Sequence, residues 1–390
     1  MARGREDYEK NTGLLKLLQI LSFLIVFVMG VVIGLATRAH MNRYFGSQTE
    51  NYSLINHLSA NKPHEEKNCT IVPVSDKVDC MSMETFLQPK NLTHGLSDDE
   101  LFWRASMVPR KREFPFERVP KVAFMFLTRG PLPLLPLWER FFQGHDKYFS
   151  IYVHVIPGYK LNVSTTSPFY LRQIPSQPVS WGTLTLLDAE RRLLANALLD
   201  LSNERFVLLS ESCIPIYNFT TVYEYLVASN HSYVESYDDP GRYGRGRYRR
   251  NMFPDITLRQ WRKGSQWFEL SRALSVYIVS ETKYYTIFSN YCLPACFPDE
   301  HYLPTYINML QGSLNSNRTV TWVDWSLRGP HPTTYEGDNI TEDFLRWIRN
   351  NGAPCQYNAE MKSICYLFAR KFAPTALEPL LKLAAAVMEY

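Results

Sequence analysis

Nowhere in this 390-residue chain do two aspartates stand one residue apart, so it lacks the Asp-x-Asp pair that commonly holds a divalent cation against a diphosphate. The acidic groupings it does have are of another kind. Asp98-Asp99 and Asp238-Asp239 are adjacent pairs that suit turns, and Glu336-Gly337-Asp338 reads as a solvated loop triplet. Zinc is set aside on similar grounds: Cys292-Leu-Pro-Ala-Cys296 has the spacing of half a structural site, and no matching Cys/His pair accompanies it. The net charge of +4 is too small to argue for a nucleic-acid partner. The chain also lacks internal repeats and low-complexity tracts, which removes solenoid and disordered-tail architectures.

What is present is a folded, aromatic-rich chain with one membrane signal. The sequence is 45% hydrophobic and 14% aromatic, enough for a sizeable core in one large domain or two smaller ones. Leu17 to Ala36 is almost wholly apolar, interrupted only by Gln19 and Ser22. About 20 residues at ~1.5 Å each span roughly 30 Å, the thickness of a bilayer core. The run is too long for a cleaved signal peptide, and Thr37-Arg38-Ala39-His40 is a poor cleavage site, so it reads as an uncleaved anchor. Arg3, Arg5, Lys10 and Lys16 precede it, against Arg38 and Arg43 after it, which places the N-terminus in the cytosol. The acceptor sequons at Asn51, Asn68, Asn91, Asn162, Asn218, Asn230, Asn317 and Asn339 all fall beyond the anchor, as expected for a segment that meets the glycosylation machinery. Seven cysteines in an oxidising lumen suggest bridges and one leftover thiol, with Cys292–Cys296 and Cys355–Cys365 as local pairings that spacing alone does not decide.

The organisation follows. Residues 1–16 read as a cytosolic tail, 17–36 as the transmembrane anchor, 37–120 as a polar, irregular luminal stem, and 121–390 as the folded domain. Within the domain, strand patterns at 122–127, 149–155 and 205–209 alternate with helical patterns at 132–142, 185–200 and 220–228. That alternation predicts an α/β domain with a mostly parallel sheet covered on both faces, and ligands at the carboxyl ends of its strands. Pro298 ends the preceding segment and Asp299 is expected to cap a helix starting at Glu300. Arg242, Arg245, Arg247, Arg249 and Arg250 crowd one segment with Tyr243 and Tyr248; a solvated loop and an anion or sugar contact both fit.

Six segments, in order, carry a family resemblance: Val179-Ser180-Trp181-Gly182, Ala189-Glu190-Arg191-Arg192, Leu208 to Pro215, Gly264-Ser265-Gln266-Trp267-Phe268, Phe297-Pro298-Asp299-Glu300-His301, and Leu367-Phe368-Ala369-Arg370-Lys371-Phe372. Together they resemble the core-2/I-branching N-acetylglucosaminyltransferases and xylosyltransferases of glycosyltransferase family 14, in the plant-type branch. The resemblance implies a GT-A-like nucleotide-sugar fold. It implies that Glu300 is the catalytic base and that basic side chains replace the metal at the diphosphate, with Lys371 matching the family's lysine. Arg349 falls near its arginine, with Arg346 as the substitute because the spacing before Cys355 differs. Trp181 and Arg192 would line the nucleotide side, Glu235 would bind the acceptor, and Trp322 would stack against it. Where the animal enzymes place an aspartate after Tyr152-Val153-His154-Val155, this chain has Ile156-Pro157.

The expected protein is a single-pass type II Golgi enzyme. It would transfer a GlcNAc- or xylose-like sugar from a UDP-sugar to a hydroxyl of a glycan or glycoprotein, with inversion and without metal or other cofactor. Two rivals differ in class. A glycosidase needs two carboxylates across the bond, about 5–10 Å apart, whereas Asp299 and Glu300 are sequence neighbours. A catalytically inactive glycan-binding or scaffold protein of the same fold would bind sugars but no nucleotide.

Overall fold

The computed structural model describes Met29 and residues 92–109, 113–293 and 296–390. The chain divides into two compact units, Met1–Lys77 and Val78–Tyr390, and all that follows concerns the second. The anchor at 17–36, most of the stem, and the sequons at Asn51, Asn68 and Asn91 lie outside the described residues. Among the described residues, no helix is long and apolar enough to cross a membrane.

The main sheet is built from β1 (Lys121–Leu127), β2 (Phe149–His154), β3 (Asn203–Ser210) and β5 (Glu269–Ser271), in the order β2-β1-β3-β5. The first three strands are parallel and β5 is antiparallel to β3. Parallel strands are covered on both faces, so β1 reads as a continuous apolar run, yet the period of two still sorts its side chains. Val122, Phe124 and Phe126 enter one core with Trp138, Phe141 and Phe142 of α2 (Leu135–Phe142). Ala123 and Met125 enter the other, with Leu193, Leu194 and Ala197 of α3 (Leu184–Leu198). The mixed α/β fold with a mostly parallel sheet is thus present, as the alternation of strand and helix patterns required, and it is consistent with a GT-A-like fold.

A second sheet runs β4 (Ile214–Pro215), β9 (Phe368–Arg370), β6 (Thr321–Val323), with β9 in the centre and parallel to β6. Between these sheets in sequence lie α4 (Phe219–Val227), α5 (Arg272–Ser280), α6 (Lys283–Tyr291) and α7 (Pro298–Leu310). Cys292–Cys296 closes the segment between α6 and α7, and Cys355–Cys365 ties down the β7–β8 hairpin (Cys355–Tyr357, Glu360–Lys362). Cys213 is a free, buried thiol.

Two details differ from the sequence reading. The stretch read as stem contributes a capped helix, α1 (Asp98–Ala105), which packs on α3 and α5 and buries Leu101 and Ala105. Asp299 is not a helix cap. Helix α7 starts two residues earlier, at Pro298, and its N-cap is Phe297 in the left-handed region (φ 55°) with no side-chain cap. Proline suits the first helical position because its missing N–H would be unpaired there in any case, and this moves Asp299 into the buried first turn.

Candidate active site

Leu127 is in register with both His154 and Ser210, so the three parallel strands end level with one another. The residues that leave the sheet there, Thr128 and Arg129, Val155 and Ile156, and Glu211, line a cleft of about 440 Å³. Arg370 and Lys371 at the end of β9, Thr321 and Val323 of β6, and Asp299 and Glu300 at the head of α7 complete its wall. Ligands gather at such strand ends because several loops and helix N-termini converge there.

Glu300 opens into this cleft and is doubly held. Lys263 Nζ donates to its Oε2 at 2.9 Å and Arg247 Nη1 to the same oxygen at 2.6 Å. Burial pushes this carboxyl up, but the Lys263 and Arg247 charges and their hydrogen bonds outweigh it and hold Glu300 below the usual carboxylate range. Asp299 goes the other way. Burial, then the Glu300 charge, raise it to about 7, against its own helix-start N–H and the Arg247 and Lys263 charges. Adjacent carboxyls driven apart in this way are suited to different protonation roles. Asp299 Oδ1 has no partner, and neither does Oε2 of the buried Glu190, whose Oε1 accepts from Gln266 Nε2 at 2.8 Å. Burial, then the Asp299 charge, raise Glu190 well above the ordinary range, so the α3–α7 contact holds two acids that are both shifted upward.

The motif at 263–268 acquires physical reasons. A Cβ on Gly264 would lie 2.0 Å from the Glu235 carbonyl oxygen, and Gly264 N donates to the Glu300 carbonyl at 2.9 Å. Glycine therefore lets three segments meet: the backbone at Glu235, the motif itself and the head of α7. Lys263 exchanges backbone hydrogen bonds with Tyr237, both at 2.9 Å. Trp267 carries the Arg370 guanidinium on its ring face, 3.9 Å from the centroid. At Trp181-Gly182, Gly182 has φ +73° and a Cβ there would meet the Phe297 ring at 2.9 Å. Phe297 in turn lies edge-on to Trp181 at 5.1 Å and beneath the Arg247 guanidinium at 3.9 Å. His301 is fully buried, with Nδ1 2.7 Å from the Arg262 carbonyl and Nε2 3.2 Å from that of Tyr243, so it fastens the Arg-rich loop to α7.

The structure brings together Glu300, Lys371, Glu235 and Trp181, all of which line the cleft. Burial, opposed by Lys263 and the Ser265 N–H, raises the Glu235 carboxyl. Four other residues named from the resemblance stand elsewhere. Arg192 spends its fork on Asp98, with Nε–Oδ1 at 2.7 Å and Nη2–Oδ2 at 2.6 Å, and is not among the lining residues. Arg349 donates to the carbonyls of Ile216 (2.9 Å) and Val387 (2.6 Å), and Arg346 pairs with Glu342, so neither reaches the cleft. Trp322 lies in β6 with its ring turned into the core against Tyr335, Phe344 and Trp347. Trp325, three residues on, is half exposed and does line the cleft.

Sequence reasoning missed Lys263, Arg247 and Arg370 as members of the site. Each had a signal: Lys263 and Arg370 flank or sit within the motifs, and Arg247 belongs to the Arg-Tyr segment. Arg370 is partly buried, and its Nε has no partner. Burial lowers it, with Cys213 and Glu211 acting in the opposite sense. His154, at the end of β2, is lowered to about 4, first by burial and then by Arg192 against Asp98, so its ring is neutral at pH 7, and its Nε2 lies 3.3 Å from the Gln177 N–H. Among the described residues no group of three His, Cys, Asp or Glu side chains is arranged to hold a metal ion. Of the described sequons, Asn162, Asn230, Asn317 and Asn339 are exposed, while Asn218 is the half-buried N-cap of α4, accepting from Thr221 N at 2.8 Å.

Residues 122–349 match the family described as Core-2/I-Branching enzyme. The chain is 37% identical over 317 residues to a curated protein named Glycosyltransferase BC10, from Oryza sativa subsp. japonica, an alignment that covers 68% of this chain and 76% of that one.

Proposed function

The chain belongs to the core-2/I-branching enzyme family and is a glycosyltransferase of it; from that premise we propose an inverting, metal-independent transfer of a GlcNAc- or xylose-like sugar from a UDP-sugar to a glycan or glycoprotein hydroxyl. One observation carries the reading: an ionised Glu300 opens into the same cleft as the cations Arg370 and Lys371. Glu300 takes the proton of the acceptor hydroxyl. The acceptor oxygen bonds to the anomeric carbon from the face opposite the leaving group. The bond from that carbon to the phosphate oxygen breaks, and its electron pair departs on the diphosphate. Arg370 and Lys371 hold that charge, Arg370 taking the part that the resemblance gave to Arg349. Preorganised cations in a partly dehydrated cleft stabilise such charge without reorganisation. The half-exposed rings of Trp181 and Trp325 supply flat faces for sugars, and Glu235 accepts an acceptor hydroxyl.

The setting we propose is the Golgi membrane, single-pass and type II, with the catalytic domain in the lumen. The apolar run at 17–36, the sequons beyond it and the two disulfides of the folded domain support it.

The test is a thermal-shift screen of the purified protein against nucleotide-sugars in strong chelator, followed by turnover of the best ligand by the wild type and Glu300→Gln. Binding should persist in chelator, and turnover of the variant should fall by roughly 10²–10⁴, the usual contribution of a positioned base. Binding of glycans but never of nucleotide would instead mark an inactive glycan-binding protein.

A further inference from the structure

We infer that Glu211 is the donor-sugar recognition residue: its carboxylate accepts the hydroxyl protons of the transferred sugar, and so selects neutral, polyhydroxylated donors over donors that carry a carboxylate of their own. The inference rests on the transferase reading above and adds the class of donor.

Position comes first. The sheet order is β2-β1-β3, and the register places Leu127 beside both His154 and Ser210. Val155, Thr128 and Glu211 therefore emerge at one level, in that spatial order, with strands spaced by about 4.8 Å. His154 and Ile156 line the cleft from the β2 side, and on the β5 side the Tyr233–Glu269 and Tyr237–Lys263 bridges bring in Glu235 and Lys263, with Glu300 paired to Lys263. An in-line displacement puts the anomeric carbon between the leaving phosphate oxygen and the attacking hydroxyl. The sugar must then lie between the diphosphate cations and Glu300; Glu211 lines the same cleft as both and stands just before β4, the strand that pairs with β9 and so with Arg370.

Availability comes second. Four acids line the cleft: Glu211, Glu235, Asp299 and Glu300. Glu300 is bound by Arg247 and Lys263. Glu235 takes the Ser265 N–H, and Asp299 is buried in the first turn of α7 and held toward its neutral form. Glu211 makes no hydrogen bond and no ion pair among the described residues. Its charge is nonetheless felt by Arg370, the partly buried guanidinium whose Nε also lacks a partner. A half-buried carboxylate only accepts hydrogen bonds, and it meets its need with O–H donors. Sugar hydroxyls are such donors, and a sugar carboxylate is their opposite: a second negative charge with no proton to give.

The experiment uses the full chain in detergent, with wild type, Glu211→Gln and Glu211→Asp. It compares kcat/KM for UDP-N-acetylglucosamine, UDP-xylose and UDP-glucuronate, and the Kd of UDP by calorimetry. Glu211→Gln should lower kcat/KM on the neutral donors by roughly 10- to 100-fold, the worth of a charge-assisted hydrogen bond. It should leave the Kd of UDP unchanged and shrink the preference over UDP-glucuronate. Should the variant fail to fold, deoxy analogues of the neutral donor on the wild type give the same reading, since removal of the contacted hydroxyl must cost a comparable factor. Equal losses for UDP and for the nucleotide-sugars would overturn the inference. So would tighter UDP binding with turnover intact, which would make Glu211 only a counter-charge for Arg370. A wild type that prefers UDP-glucuronate overturns this inference alone, whereas one that turns over no nucleotide-sugar removes the transferase reading beneath it.

Discussion

Replacing Lys263 with methionine probes the base directly, because it removes one of the two cations on Glu300 while keeping the side-chain length. The Nζ–Oε2 distance is 2.9 Å and both side chains are mostly buried. At an effective dielectric of about 20, a bare pair at that separation is worth roughly 6 kcal/mol. Desolvation offsets part of this, and Arg247 stays in place at 2.6 Å. The cation favours the ionised form, so its loss raises the Glu300 pKa. The assay is the pH dependence of kcat/KM, whose acidic limb reports groups of the free enzyme. That limb should move to higher pH in Lys263→Met, and Lys263→Arg should restore it. Asp299 sits near 7 and titrates in the same window, so the series is repeated in an Asp299→Asn background, where the limb that remains belongs to Glu300. Stability must follow the same sign. A lowered folded-state pKa stabilises the fold above the ordinary carboxylate pKa and ceases to do so as pH falls through the folded value. The stability deficit of Lys263→Met at neutral pH should therefore narrow on acidification. An acidic limb that stays put, or moves down, would refute the claim that Lys263 holds Glu300 ionised.

Gly264→Ala places a Cβ 2.0 Å from the Glu235 carbonyl, so the backbone must shift at the point where α7 is anchored; both urea stability and turnover should fall, and a neutral result in either would show that the close approach is not required. Arg205→Met breaks the ion pair between β3 and Glu269, whose partners are almost wholly buried at 2.6 Å; it should cost about 3–5 kcal/mol in urea unfolding because Glu269 is left without its cation. The double variant Arg205→Met/Glu269→Leu should recover much of that loss, since removing both charges leaves no unpaired one behind.

The strand–helix alternation, the parallel sheet and the placement of a ligand cleft at its carboxyl ends were legible in the residues, because the apolar period and the right-handed crossover of parallel strands leave few other solutions. The sequence by itself also picked out Glu300, Lys371 and Trp181 through order-specific motifs, and with Glu235 they line one cleft. What it could not determine were the partners. Arg192 and Arg349 read as free cations, but the fold meets one with Asp98 and the other with main-chain carbonyls. Trp322 and Trp325 are equally aromatic on paper, and only the fold, which packs Trp322 of β6 into the core and leaves Trp325 past the strand's end in the cleft wall, separates the core residue from the cleft residue. Asp299 and Glu300 are adjacent carboxyls of nearly equal intrinsic acidity, yet one is raised by burial and the other lowered by Lys263 and Arg247, residues 37 and 53 positions away along the chain. Such pairings depend on through-space distance and dielectric, which a linear order of residues does not contain, and tertiary packing alone decides them.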